Sequence, residues 1–311
     1  MPETSFAAIV ASLHARTGKT LLARVLAEYF ILSGLRPLLF DTDTAECRLC
    51  ASFPQDTLVI DPGQVPDQMT LFDTMALTTP EARVVDVTHQ SFRKVFKVMQ
   101  DIDFITEARA LQVEPAIFYI ADRHADSYAE ALHLRGRFVC PFVAVDNPYL
   151  GQPSDVIRKS DAYQSFISHE LRLTIPPLEP AAAHALADPQ FSLSDFMRQP
   201  VALGEATLQP DANPLDVRAA LRPWLMRMFK DIHRISRIVT TRREREAAAA
   251  AAAAEKEREK ERERAKAQEQ ATLQAKAKAP EAEKKSEPTL VTEKVEESKS
   301  EKEPESATQS G

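Results

Sequence analysis

Thr17, Gly18, Lys19 and Thr20 form a string whose chemistry is implied by residue type and order. A lysine followed by a hydroxyl residue, set between an apolar strand-like run and a helical run, is an arrangement that handles phosphate. Backbone N–H groups at the helix start converge on the anion, the ammonium reaches the outer phosphates and the hydroxyl holds Mg2+. The glycines that usually open such a loop are missing. Leu13, His14, Ala15 and Arg16 stand there, and the first glycine of G-x-x-x-x-G-K-T would fall on Leu13. Side chains at 15 and 16 make any positive φ costly. Phosphate chemistry also needs an acid at the end of a buried strand, close to Mg2+. Asp86 in "ARVVDVTHQ" and Asp61 in "DTLVIDPG" both qualify. Asp61 follows the acids of "LLFDTDT" (Asp41 and Asp43) closely, so Asp86 is preferred and Asp61 is the alternative.

Cys47 and Cys50 in "CRLC" have a metal or redox spacing. No His/Cys cluster accompanies them, so small, partly buried residues are the preferred reading. A metal or iron–sulfur cluster shared between subunits is the sharper alternative. The chain has three cysteines, which do not form a disulfide framework. His89, His124, His133 and His184 are scattered and read as structural, and His14 alone lies inside a motif.

The elements that must position these residues alternate. "FAAIVAS" reads as a strand and "KTLLARVLAEYFILSG" as a helix with Leu22, Val25, Leu26 and Tyr29 on one face. "RPLLFDTD", "DTLVID", "ARVVDV", "PAIFYIAD", "RFVCPFVAVDN" and "LRLTIPPL" read as strands. "FRKVFKVMQDIDFITEARAL" and "DSYAEALHLRG" read as helices. Strands apolar on both faces, alternating with helices, predict an α/β fold of three layers around a mainly parallel sheet.

With these elements in place, the chain resembles the ParA/MinD-type P-loop ATPases, whose deviant Walker A loop reads K-G-G-x-G-K-T. The resemblance spans roughly residues 5–200. Aligned on Gly18, Lys19 and Thr20, the family's signature lysine falls on His14 and its two glycines on Ala15 and Arg16. That lysine reaches across a dimer to the partner's nucleotide. His14 could do so only when protonated, whereas Arg16, always charged, is our preferred substitute. The resemblance implies that Thr17, Gly18, Lys19 and Thr20 bind ATP, with Arg16 added by our own inference from its charge, and that Asp43 positions the attacking water. Thr20, Asp41 and Asp86 would surround Mg2+. Asn147 in "FVAVDN" matches the residue that touches adenine, and Pro176 lies in the matching proline-containing loop. No N-K-x-D motif is present to read guanine, which favours ATP.

Composition and charge set the surroundings. The chain has 311 residues and a formal net charge of −7, which argues against wholesale coating of nucleic acid. The start "MPETSFAAIVAS" has no basic segment and too short an apolar run for a signal peptide, so a cytoplasmic protein is expected. Residues 1–200 read as the nucleotide-binding domain and 201–243 as a linker and basic amphipathic helix. Residues 244–279, eight alanines followed by Glu–Lys/Arg pairs, read as a solvated helix, and 280–311 as a disordered tail. The stripe Leu221, Trp224, Leu225, Met228, Ile232, Ile235 and Val239 suits core packing or self-association. The basic flanks suit either a DNA backbone or an anionic membrane surface, with the charged tail as a docking arm for a protein partner. By resemblance, the expected activity is a slow ATPase that dimerises with ATP and acts in intracellular positioning or partitioning. The alternative is a scaffold that binds nucleotide without turnover, or binds none.

Overall fold

The computed structural model describes residues 5–77, 82–198 and 214–282. Its strands are β1 (Ser5–Ala11), β2 (Leu38–Asp41), β3 (Thr57–Val59), β4 (Arg83–Asp86), β5 (Val113–Ala121), β6 (Phe142–Asp146) and β7 (Arg172–Thr174). They form one seven-stranded sheet in the order β3-β2-β4-β1-β5-β6-β7, and every pairing is parallel. The connecting helices are α1 (Lys19–Leu32), α2 (Arg48–Ser52), α3 (Val65–Ala76), α4 (Phe92–Asp101), α5 (Phe104–Ala110) and α6 (Ala125–Arg137). After β6 come α7 (Asp155–Arg158), α8 (Asp161–Ile167), α9 (Pro180–Ala187), α10 (Leu193–Arg198) and α11 (Pro214–Ala282).

Strand periodicity divides the core in two, because successive side chains point to opposite faces. Phe6, Ala8 and Val10 of β1, with Phe118 and Ile120 of β5, face α1 and the helices α9–α11. Ala7, Ile9 and Ala11, with Ile117 and Tyr119, face α3–α6 and α8. Helices therefore cover both faces, as the apolar strand runs require.

The chain moves from β1 through α1 to β2, then returns to place β4 between them, and β5 joins the far side of β1. Connections from β1 and β4 leave in opposite directions, so the crevice at their carboxyl ends is a topological switch point, where open α/β sheets bind ligands.

Several expectations need correction. The "DTLVID" run is only the short β3, the edge of the sheet, with Leu58 and Val59 roughly half exposed at 46% and 45% rather than buried. The helix expected across 92–111 breaks into α4 and α5 at Asp103, which takes a left-handed φ of 48°. The "RFVCPFVAVDN" strand begins only at Phe142, because Arg137 still belongs to α6 and Pro141 has no N–H to pair. Within the expected loop-bearing 188–220 segment, α10 and the start of α11 are helical.

The chain divides into two compact units, Met1–Ala248 and Ala249–Gly311. The first takes in more than the expected 1–200, because Val217, Leu221, Trp224, Leu225, Met228, Ile232, Ile235 and Val239 of α11 are buried in the same core as β1 and α1. The boundaries expected at 243 and 279 are not helix breaks, since α11 runs continuously through both. In the second unit, 249–271 is helical and every residue of it is exposed. Of the disordered tail expected over 280–311, residues 280–282 are the end of α11 rather than disordered, and 283–311 lie outside the described residues.

Trp224 fixes the start of α11: its indole Nε1 donates to the carbonyl of Pro176 at 2.7 Å. Trp224→Ala is expected to destabilise the first unit by about 3–5 kcal/mol, through lost burial and an orphaned carbonyl. Urea unfolding of the two proteins measures this.

Candidate functional site

β1 ends at Ala11, and seven residues carry the chain from there to α1. Two of them take left-handed backbone conformations, Arg16 at φ 59° and Gly18 at φ 97°. Arg16 adopts a conformation that glycine would take freely. An L-residue there costs about 1–2 kcal/mol. Gly18 is the N-cap of α1, and a Cβ on it would lie 3.1 Å from Asn147 Nδ2. The first turn of α1 carries no acidic residue and no side-chain cap. Its orphan N–H groups and positive dipole end are thus left for an external anion.

Lys19 is buried, and its Nζ donates to the carbonyl of His14 at 2.7 Å. Burial lowers its pKa, opposed by the charges of Asp86 and Asp122. Thr20 Oγ1 donates to Asp86 Oδ2 at 2.6 Å. This contact follows from register, since Val10 of β1 pairs with Asp86 of β4. The other oxygen, Asp86 Oδ1, is buried and has no hydrogen-bond partner among the described residues. Burial pushes the Asp86 carboxyl from 3.8 up to about 7, with Asp41 adding and the Thr20 hydroxyl and Lys19 opposing. Asp61 lies beyond the edge strand, where its Oδ1 accepts from the Gly63 amide, and does not line the cleft.

Asp41 is the register partner of Asp86 across β2 and β4. Its carboxylate accepts from two backbone amides, Asp43 N at 2.8 Å and Leu49 N at 3.1 Å. Burial raises its pKa and these amides oppose the shift. Asp43 Oδ1 accepts from the amides of Ala45 and Glu46 at 3.2 and 3.0 Å. No described residue hydrogen-bonds its Oδ2. Lys19, Thr20, Asp41, Asp43, Asp86 and Arg16 all line one cleft of about 440 Å³. A second cavity of about 330 Å³, lined by Leu21, Arg24 and Leu186 among others, shares Thr20 and Arg48 with the first.

The remaining candidates take other roles. Asn147 Nδ2 donates to the Thr17 carbonyl at 3.0 Å, so the amide matched to adenine recognition braces the loop from below. The Pro176 carbonyl is occupied by Trp224. His14 turns from the cleft toward Asp122 and Asp126, with nitrogen–oxygen distances of 2.7 and 3.4 Å. Arg16 is exposed and makes no hydrogen bond or ion pair among the described residues. Glu46, Arg48, Thr88 and His89 also line the cleft. Sequence reading passed over Glu46, Arg48 and Thr88 and took His89 as structural; their only signal was adjacency to Asp43 and Asp86.

The donor set suits magnesium. A hydroxyl and a carboxylate with one unpartnered oxygen leave most of an octahedral shell to water and phosphate, as Mg2+ prefers. Among the described residues no group of three or more His, Cys, Asp or Glu could hold a metal alone. Cys47 and Cys50 are partly buried, as expected, and are also joined in a disulfide, which was not expected. No helix among the described residues is long and apolar enough to cross a membrane. No protein-family model matches the chain, and no curated protein matches it either.

Proposed function

We propose that this chain is a ParA/MinD-like P-loop protein that binds Mg-ATP in the switch-point cleft and hydrolyses it slowly, as a nucleotide-dependent dimeric switch in intracellular positioning or partitioning. The observation that carries the reading is the Thr20–Asp86 pair, with the orphaned Asp86 Oδ1 beside the uncapped start of α1.

The residues then take these roles. The amides at the start of α1 receive phosphate oxygens, and Lys19 exchanges the His14 carbonyl for the outer phosphates. Thr20 and Asp86 hold Mg2+, which when bound neutralises charge developing on the transferred phosphoryl group. Asp41 acts by fixing the backbone at Asp43 and Leu49. Asp43, anchored through Oδ1, has Oδ2 available to orient water. The neighbouring cavity past Thr20 accommodates the nucleoside. Arg16, charged and free at the mouth of the cleft, is placed to meet the phosphates of its own or a partner's nucleotide.

The output surface is the outer side of α11. Its apolar stripe is spent in the core, while Arg227, Lys230, Arg234 and Arg237 are exposed. These cations suit a DNA backbone or an anionic membrane, and steep loss of binding with salt is expected for either.

Turnover separates this reading from a non-hydrolysing scaffold. Mg2+-dependent phosphate release is expected from the wild type. Asp43→Ala is expected to lower it by about 10²-fold or more, the usual scale for a group that orients the nucleophile, with ATP binding retained. A wild type that binds ATP and releases no phosphate would establish the scaffold instead.

A further inference from the structure

At the start of α2, Arg48 of the cleft wall sits inside a small covalent ring. Cys47 and Cys50, with Cα atoms 5.2 Å apart, are disulfide-bonded around Arg48 and Leu49. Arg48 lines both the phosphate cleft and the adjoining cavity, and its Nη2 is 2.8 Å from Glu46, another wall residue. The Leu49 side chain is fully buried, and its amide donates to Asp41 Oδ2. On the near side of the ring, the amides of Ala45 and Glu46 donate to Asp43 Oδ1. The ring is thus tied to both acids of the "DTD" segment.

Two features mark this disulfide as reversible. It encloses so few residues that loop-closure entropy stabilises it little, so a purely structural staple is poorly served here. Both cysteines are only partly buried, the kind of setting in which thiol–disulfide exchange can proceed. The remaining cysteine, Cys140, is a poor competitor, because burial pushes its thiol up to about 12.

We propose that Cys47–Cys50 is a redox site that sets nucleotide affinity, a proposal that rests on the nucleotide-binding reading of the cleft. The co-reactant is a dithiol. Its thiolate attacks one ring sulfur, the Cys47–Cys50 bond breaks and a mixed disulfide forms, while the displaced cysteine takes up a proton. The second thiol of the dithiol then attacks its own mixed-disulfide sulfur and releases the other cysteine. Two electrons and two protons pass to the protein, and the dithiol leaves as a disulfide. In the oxidised state the ring holds Arg48 and the Leu49 amide ready for ligand. In the reduced state ordering them falls on the binding step, which weakens affinity by about 3–10-fold.

Fluorescent Mg-ATP is titrated into air-oxidised protein, dithiothreitol-reduced protein and Cys47→Ser/Cys50→Ser protein, and iodoacetamide alkylation read by mass counts thiols in the first two. The oxidised form is expected to bind about 3–10-fold more tightly than the reduced form, with the double variant matching the reduced form. Reduction is expected to add two alkylated thiols, and oxidised glutathione to restore the higher affinity in the wild type, which keeps the test valid should the double variant fold poorly. Equal affinity in both redox states would overturn the redox site and leave the nucleotide reading standing. Both cysteines alkylated before reduction would overturn it as well. Absence of binding in every form would overturn the nucleotide reading and the redox proposal together.

Discussion

Asp86→Asn is expected to make the protein more stable above pH 7 while removing the effect of magnesium. The wild-type carboxyl is buried beneath the sheet's switch point, and burial raises it from 3.8 to about 7. Between those values the folded protein holds a proton that the unfolded chain has released. Stability therefore falls as pH rises through about 4 to 7, and the deficit is complete above about 7. The shift corresponds to roughly 4 kcal/mol. Asparagine removes the charge at every pH, but its amide nitrogen stands where Oδ1 had no partner, which costs about 1–3 kcal/mol. A net gain of roughly 1–3 kcal/mol follows, or about 2–10 °C in thermal midpoint for a domain of this size. Thermal scans of both proteins at pH 4 and pH 8 without magnesium measure it. The variant's midpoint is expected to lie below the wild type's at pH 4, where only the orphaned amide counts, and above it at pH 8. Added magnesium and ATP are expected to raise only the wild-type midpoint, since ligand stabilises only a protein that binds it. A site that gives up stability at Asp86 is then doing so for its ligand.

Lys19→Ala carries the second large effect. The ammonium now lies on the His14 carbonyl, buried at the base of the loop and 3.5 Å from the Thr17 hydroxyl. No described residue offers Lys19 a carboxylate as a hydrogen-bond acceptor, so exchange for a phosphate oxygen trades a neutral acceptor for a charged one. Charge-assisted bonds are about twice as strong as neutral ones. Loss of the bond and of the long-range attraction is expected to weaken ATP binding by about 10²-fold or more. The fold is expected to survive, because the alanine leaves only the His14 carbonyl and Thr17 hydroxyl to rehydrate beside an open cleft. Competition of ATP against a fluorescent analogue reads the affinity, and circular dichroism checks the fold.

The sequence carried the alternation of strands and helices, and hence the parallel sheet, because a buried strand and its crossover helix have distinct periods. It also carried the junction at Gly18, Lys19 and Thr20. Strand order was not legible. Nothing local in "ARVVDV" says that β4 inserts between β2 and β1, yet that insertion brings Asp86, and not Asp61, to Thr20. β3 shows the same limit: an apolar run of Leu58, Val59 and Ile60 looks buried until its place at the sheet edge exposes most of it. Asp103 interrupts a helical pattern whose apolar spacing continues on both sides, so only the backbone reveals the break. The spacing of Cys47 and Cys50 was visible, but whether they bond each other depends on the turn between β2 and α2. The roles of Asn147 and Asp41 were obscured differently. Both are polar groups beside the cleft, and only the full set of hydrogen bonds shows that they hold backbone in place.

If the loop without its usual glycines keeps a phosphate-binding backbone, it does so because Arg16 accepts the left-handed conformation and Gly18 retains its own. Equilibrium titration of the wild-type protein with ATP, with and without Mg2+, tests this most directly. Saturable binding is expected, with a dissociation constant on the order of micromolar, weakened when magnesium is withheld. ATP failing to bind at millimolar concentration with magnesium present would contradict it.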